Sequence, residues 1–234
     1  NYVHGKSGLD GPSMPEPAMV EDPRGALGLM AELIKTARSK VTMVVTGPMT
    51  NLAQLLRINP DIGDRIAEVI FMGGSTERGN HTPSAEFNTY SDPEALQEII
   101  DSGIPVRMVG LNLTHQALAT PEIVDRMKKM DHTIGKTCAE WMGFFGGSYR
   151  QVWSFDSPPV HDPCTVAALI DPSLINWQKT FLAIELEGKW SRGETIVDLH
   201  NRYEKTPNAE VAISLDSSGY WELVLQALDT LGSR

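Results

Sequence analysis

An open, mostly parallel α/β sheet with helices on both faces is the fold this sequence predicts, and three observations predict it. Short β-branched runs stop abruptly at glycine or a polar residue, as in VTMVVTGPMT (41–50), IAEVIFMGG (66–74) and PVRMVGLN (105–112). Between these runs lie stretches with apolar residues at helical spacing. The connections are short. Buried parallel strands read as continuous hydrophobic runs, and strand–helix–strand order with short links implies right-handed βαβ units.

Each element has its own signal. HGKSGLDGPSMPEP (4–17) is rich in Gly, Ser and Pro and predicts a loop. Beyond Asp22, residues Ala26, Leu27, Leu29, Met30, Leu33 and Ile34 recur at helical spacing after a Pro and an Asp. The first strand, Val41 to Val45, is stopped by Thr46-Gly47-Pro48, and a helix from about Asn51 to Ile58 follows. The second strand ends at Gly73-Gly74. After the loop GNHTPSAEFN (79–88), Ser91-Asp92-Pro93-Glu94 opens a helix with a cap and a proline at its first position. The third strand runs from about Val106 to Leu111. Residues 121–155 are expected to be mostly helical, Pro158-Pro159 breaks them, and a helix begins near His161 and ends at about Ile170. FLAIELEG (181–188), ETIVDL (194–199) and AEVAISL (209–215) predict short strands, and Ser218 to Leu231 a final helix. No repeat, low-complexity tract or linker interrupts the 234 residues, so one domain is expected.

Composition narrows the function. Thirty acidic against twenty basic residues give a net charge of −10, spread without a block. That argues against nucleic acid or anionic membrane as partner. No apolar run approaches the roughly 18 residues of a membrane span, and no signal peptide is visible. Cys138 and Cys164 lack CxxC spacing, which speaks against a disulfide framework or a cysteine zinc site and for a reducing cytoplasm.

Ligands of open parallel sheets bind beyond the carboxyl ends of the strands. Thr46 follows the first strand. Met72 and Gly73-Gly74 end the second and lead to Asn80, Glu86 and Asn88. Asn112, Thr114 and His115 follow the third. Carboxamides, a carboxylate and hydroxyls on one rim suit a polyhydroxyl ligand such as a sugar, although Asn and Thr are also ordinary cap and turn residues. PPVHDP (158–163) places His161 and Asp162 at a helix start. Asp162 there is either a plain N-cap or a ligand for a hard cation such as Ca²⁺, and His161 is a candidate proton donor.

HGKSGLDGP, TGPMTN, MGG, GNHTPSAEFN, DPEA and PPVHDP occur in this order, and together they resemble the inosine-uridine preferring nucleoside hydrolase family. The resemblance runs from about residue 4 to the end of the chain, where NAEVAISLD matches a late strand. It implies hydrolysis of the N-glycosidic bond of ribonucleosides, in purine and pyrimidine salvage, on an open α/β sheet that binds Ca²⁺. By motif match, Asp162 and the Thr46 carbonyl are calcium ligands, while Asn80, Glu86 and Asn88 hold the ribose, with Met72 packed nearby. His161 is the leaving-group acid, and His4 and Tyr149 lie in segments over the base. A cytoplasmic homodimer or homotetramer acting on a small-molecule ribonucleoside is implied as well.

One departure is large. The family opens with a strand and an Asp-rich motif of the form DTDxxxDD, which supplies most calcium ligands, the general base and contacts to the ribose diol. This sequence has no such motif; it begins at Asn1, and its first methionine is Met14. If these residues are a fragment of a longer parent, that parent is expected to be a working hydrolase. If these residues are the whole molecule, weak calcium affinity, an exposed central sheet edge and a non-catalytic remnant of the ribose site are expected instead. A phosphohydrolase built on the His-Asp pair is disfavoured, because neither a P-loop nor a second such pair is present. His115 is expected to be structural, His81, His132 and His200 to be surface residues, and Cys164 a small buried hydrophobe. Tyr149, Trp153 and Phe155 read as a helical aromatic stripe covering the site or the core.

Overall fold

The structure, a computed structural model, describes residues 5 and 7–233. Strands β1 (Val41–Val45), β2 (Ile66–Met72), β3 (Val106–Val109), β4 (Ile175–Thr180) and β7 (Ala209–Leu215) form one sheet in the order β1-β2-β3-β7-β4. The first four in that order are mutually parallel, and β4 runs antiparallel to β7. β5 (Leu182–Ile184) and β6 (Thr195–Val197) pair separately as an antiparallel ribbon. It docks through the Ile184 N–H, which donates to Gln97 Oε1 at 2.8 Å.

Successive strand residues face opposite sides of a sheet, and the two cores follow that alternation. Val69, Phe71, Met108 and Val211 pack on one face against α1 (Gly25–Thr36), α2 (Thr50–Ile58) and α4 (Pro93–Asp101), among them Leu52, Leu55, Leu96 and Ile99. Ile70, Val109 and Ala212 pack on the other. There they meet Leu113, Cys164, Tyr220 and Leu225 from α5 (Leu111–Thr114), α8 (Pro163–Ile170) and α9 (Ser217–Gly232). α6 (Pro121–Lys128) and α7 (Thr133–Trp153) complete this second layer.

Three elements were not read from the sequence. β4 carries Asn176, Gln178 and Lys179, a polar pattern suited to an edge strand exposed on one side. α3 (Phe87–Ser91) and α5 have five and four residues, too few to show helical periodicity. The third strand accordingly ends at Val109, and the chain turns at Gly110 straight into α5. β1 pairs with β2 alone among the described residues and forms the open edge of the sheet. No described helix is long and apolar enough to cross a membrane.

Leu113 has no exposed surface and sits in the second core directly beneath the rim. Leu113→Ala is expected to cost about 2–5 kcal/mol of unfolding free energy, measured by urea titration. Ile170→Ala, at a position 62% exposed, should cost under about 0.5 kcal/mol.

Candidate functional site

The carboxyl ends of β1 and β2, together with α7 and the start of α8, enclose a cavity of about 640 Å³. Thr46, Met72, Asn80, Glu86, Asn88, Tyr149, His161 and Asp162 all line it, so eight of the nine residues picked from the sequence converge. The ninth, His4, lies outside the described residues. No lysine or arginine lines the cavity among the described residues.

The β2–α3 loop is built around Glu86. Its side chain is 3% exposed and caps α3, accepting from the Asn88 N–H at 2.9 Å and the Thr89 N–H at 3.1 Å. It also accepts from the Gly74 N–H at 3.1 Å, which ties the end of β2 to the start of α3. Burial raises the carboxyl pKa, and these three N–H groups and the charge of Asp162 adjust it by smaller amounts. Between the two anchors the chain folds back on itself. The Gly79 N–H donates to Pro83 O and the His81 N–H to Ala85 O. A Cβ at Gly79 would lie 2.2 Å from the Ala85 carbonyl oxygen, so only glycine closes this loop.

Both carboxamides are held by one end. Asn80 Oδ1 accepts from the Phe87 N–H at 2.9 Å, which leaves its NH₂ without a partner among the described residues. Asn88 donates Nδ2 to Met72 O at 3.1 Å, with Met72 Sδ at 3.5 Å, which leaves Oδ1 as an acceptor. Asn112, also on this rim, is spent differently: Nδ2 donates to Ala212 O and Oδ1 accepts from the Thr76 N–H, so it stitches the β2, β3 and β7 ends together.

In the wall of the same cavity His161 sits between two hydroxyls. His161 Nε2 lies 2.6 Å from the Tyr149 hydroxyl, and Nδ1 lies 2.7 Å from the hydroxyl of Thr114. Burial, with the charges of Asp162 and Glu86, raises the Tyr149 phenol well above its ordinary range, so it stays protonated. Phe145 and Trp153 flank Tyr149 along α7, with ring centroids 6.2 and 4.7 Å away. His115 stands behind, 5.8 Å from the His161 ring and 5.0 Å from that of Phe155. Burial and then the charge of Arg78 lower its pKa from 6.5 to about 4.

Asp162 occupies the N-cap position of α8, yet its side chain makes no capping hydrogen bond. The carboxylate faces the cavity instead, and desolvation raises its pKa. The plain N-cap reading is therefore set aside. A carboxylate partly shielded from water, whose charge acts on Glu86, in a wall without lysine or arginine among the described residues, suits a cation in kind. In number the donors fall short: the Asp162 carboxylate and the Thr46 carbonyl are two, whereas Ca²⁺ takes six to eight oxygens. No cluster of three or more His, Cys, Asp or Glu side chains arranged to hold a metal occurs among the described residues.

Of the histidines expected at the surface, His81 is exposed and His132 is not. His81 lies on the cavity rim, its ring 4.6 Å from that of Tyr90 and 5.5 Å from that of Phe87. His132 caps α7, accepting from the Gly135 N–H at 3.1 Å, and its side chain is only 14% exposed. Cys164 is fully buried, and burial pushes its thiol up to about 12, as a buried hydrophobe requires. Thr114 was read merely as a rim hydroxyl. Its bond to His161 joins residues 47 apart in sequence, which only the tertiary fold reveals.

Residues 1–222 match the family model described as inosine-uridine preferring nucleoside hydrolase. The chain is 39% identical over 227 residues to a pyrimidine-specific ribonucleoside hydrolase, RihA, of Klebsiella pneumoniae, covering 97% of this chain and 73% of that protein. Among solved structures, a purine-preferring ribonucleoside hydrolase from Gardnerella vaginalis superposes with a TM-score of 0.89 at 28% identity, covering 99% of this chain and 73% of that one. A plant nucleoside hydrolase, PpNRh1, gives 0.87 at 27% identity, with 97% and 74% covered.

Glu86→Gln keeps the shape but turns an NH₂ toward backbone donors. It is expected to lower the unfolding free energy by about 1–3 kcal/mol, read by urea titration; unchanged stability would contradict the anchoring role. His115 titrates at 6.5 when unfolded and at about 4 when folded, so in that window the unfolded chain binds more protons. Its contribution is intact above pH 6.5 and is lost as pH falls through about 4. The raised carboxyls of Glu86 and Asp162 act in the opposite sense, so the test is comparative. His115→Gln should lose less stability than the unaltered protein between pH 6.5 and 4, and parallel curves would refute the assignment.

Proposed function

Because the chain belongs to the inosine-uridine preferring nucleoside hydrolase family, we propose that its cavity binds a ribonucleoside and hydrolyses the N-glycosidic bond to free base and ribose. The observation that carries this reading is that one cavity is lined by two half-anchored carboxamides and a buried carboxylate together with an imidazole and a phenol.

The chemistry suits this layout. Breaking a ribosyl C–N bond develops positive charge on the sugar, an oxocarbenium-like state. Glu86 and Asp162 tolerate that charge where Lys or Arg would oppose it, and a desolvated cavity strengthens their effect. The Asn80 NH₂ can donate to ribose hydroxyls, while Asn88 Oδ1 and Glu86 accept from them, and a tightly held sugar turns remote binding into a lower barrier. The bond's electron pair leaves with the base, which needs a proton. Protonated His161 supplies it through Nε2 and the hydroxyl of Tyr149. Water adds its oxygen at C1′ and loses a proton, so nucleoside plus water gives ribose plus base. Met142, Phe145, Tyr149 and Trp153 offer rings and a thioether to the base, and His161 as the acid leans the reading toward a broad or pyrimidine-tolerant enzyme.

We also propose that Asp162 and the Thr46 carbonyl would hold Ca²⁺, with ribose and water supplying further oxygens. When bound, such an ion orients a water molecule and makes it more acidic. A homodimer or homotetramer in the cytoplasm completes the reading; the two unpaired cysteines and the acidic surface support the compartment and the absence of a nucleic-acid or membrane partner.

Purified protein incubated with uridine or inosine is expected to release free base, measured by chromatography, and a calcium chelator should abolish the release. Asn88→Ala should lower kcat/KM by about 100-fold or more, and Asp162→Ala should weaken calcium binding, measured by calorimetry. Unchanged kinetics in Asn88→Ala would overturn the sugar site, and chelator-resistant turnover would overturn the metal.

A further inference from the structure

We infer that Thr114 is a positioning residue for His161: its hydroxyl donates to Nδ1, fixes the ring plane and its Nε2–H tautomer, and aims that hydrogen at Tyr149. The inference rests on the hydrolase reading of the cavity and deepens it.

Thr114 has no exposed surface and closes α5, immediately after β3. Helical threonines commonly return their hydroxyl to the carbonyl four residues back, as Thr36 does to Glu32 O at 2.7 Å and Thr230 to Gln226 O at 2.8 Å. Thr114 does not. The Gly110 carbonyl that such a bond would use accepts instead from the N–H groups of Leu113 and Thr114, both at 3.0 Å. The Thr114 hydroxyl reaches His161 Nδ1 at 2.7 Å, its one side-chain hydrogen bond among the described residues. A buried hydroxyl hydrogen needs an acceptor, and Nδ1 is the acceptor within reach. The neutral ring then carries its hydrogen on Nε2, 2.6 Å from the Tyr149 oxygen. Tyr149, accepting there, keeps its own hydrogen for the cavity. Should the ring gain a second proton, the same hydroxyl can turn and accept from Nδ1–H, so the ring stays in place.

The backbone presets this distance. The Ala119 N–H donates to Pro158 O at 2.9 Å and the Val160 N–H to Ala117 O at 3.0 Å, flanking a bridge between Leu118 and Pro159. The segment after Thr114 and the segment before His161 are thus bound edge to edge. His115 and Tyr149 limit the swing of the imidazole, with ring centroids 5.8 and 6.0 Å from it.

The test compares Thr114→Val, which keeps the shape and removes the hydroxyl, with Thr114→Ser, which keeps the hydroxyl, in the full chain. Two substrates separate positioning from general damage: uridine, whose base must be protonated to leave, and p-nitrophenyl β-D-ribofuranoside, whose aryloxide leaves without a proton. Thr114→Val should lower kcat on uridine roughly 10- to 100-fold, with KM within about twofold and the aryl riboside rate unchanged. Thr114→Ser should restore most of the uridine rate. Nitrogen-15 spectra of the unaltered protein should show neutral His161 protonated on Nε2, and Thr114→Val should show a mixture. Equal loss on both substrates, no loss on uridine, or an Nδ1–H ring in the unaltered protein would overturn the inference. If the unaltered protein cleaves neither substrate, the hydrolase reading has failed, and the nitrogen-15 spectrum alone decides whether Thr114 sets the tautomer. That spectrum needs no variant, so the inference stays falsifiable even if Thr114→Val does not fold.

Discussion

A single buried carboxylate holds the β2–α3 loop of this cavity together. Glu86 is taken out of water at the foot of the β2–α3 loop, which for an isolated anion would be prohibitive. It is tolerable because three backbone N–H groups, from Gly74, Asn88 and Thr89, point at it. Those groups belong to both ends of the loop, so satisfying the charge also fixes the loop's span. Asn88 follows from the cap geometry of α3, and Asn80 from its bond to the Phe87 N–H, one residue past Glu86. A carboxylate has about four acceptor sites, and three N–H groups leave room for a ligand hydroxyl. The residue that builds the site thus also remains part of it.

The same division of labour recurs in the other side chains. Each is spent at one end on the fold and left open at the other: Asn80 by its oxygen, Asn88 by its nitrogen. Asp162 departs from the pattern, because α8 starts without help from its carboxylate. It stands at the wall, its pKa raised by partial burial, and adds to the negative character that Glu86 begins. On the hydrolase reading, a cavity so lined disfavours anions and suits a species that becomes positive as its bond breaks. In the same cavity, rings from α7 flank a phenol kept protonated by burial. Strand-end loops thus supply Asn80, Glu86 and Asn88, while α7 and the start of α8 supply Tyr149, His161 and Asp162.

Much of this was legible in the sequence. Continuous apolar runs gave away β1, β2 and β3, and capping residues marked α4. The rule that ligands sit past the carboxyl ends of parallel strands put Thr46, Asn80, Glu86 and Asn88 on one rim before any coordinates. What escaped notice has physical reasons. β4 is an edge strand whose polar residues break the apolar pattern, and α3 and α5 are too short for periodicity. Whether Asn112 faced the ligand or the scaffold depended on Ala212, 100 residues away. The partnership of Thr114 with His161 is likewise tertiary, and the role of Glu86 as a cap was hidden because Glu is uncommon at that position.

The convergence of Asn80, Glu86 and Asn88 on a furanose is tested most directly by a crystal structure with a C-nucleoside bound, whose carbon–carbon link to the base resists hydrolysis. The ribose hydroxyls should lie within about 3.2 Å of the Asn80 amide nitrogen, the Asn88 amide oxygen and the Glu86 carboxylate, with the base against the α7 rings. A sugar seated elsewhere, or one whose hydroxyls meet none of these three groups, would contradict it.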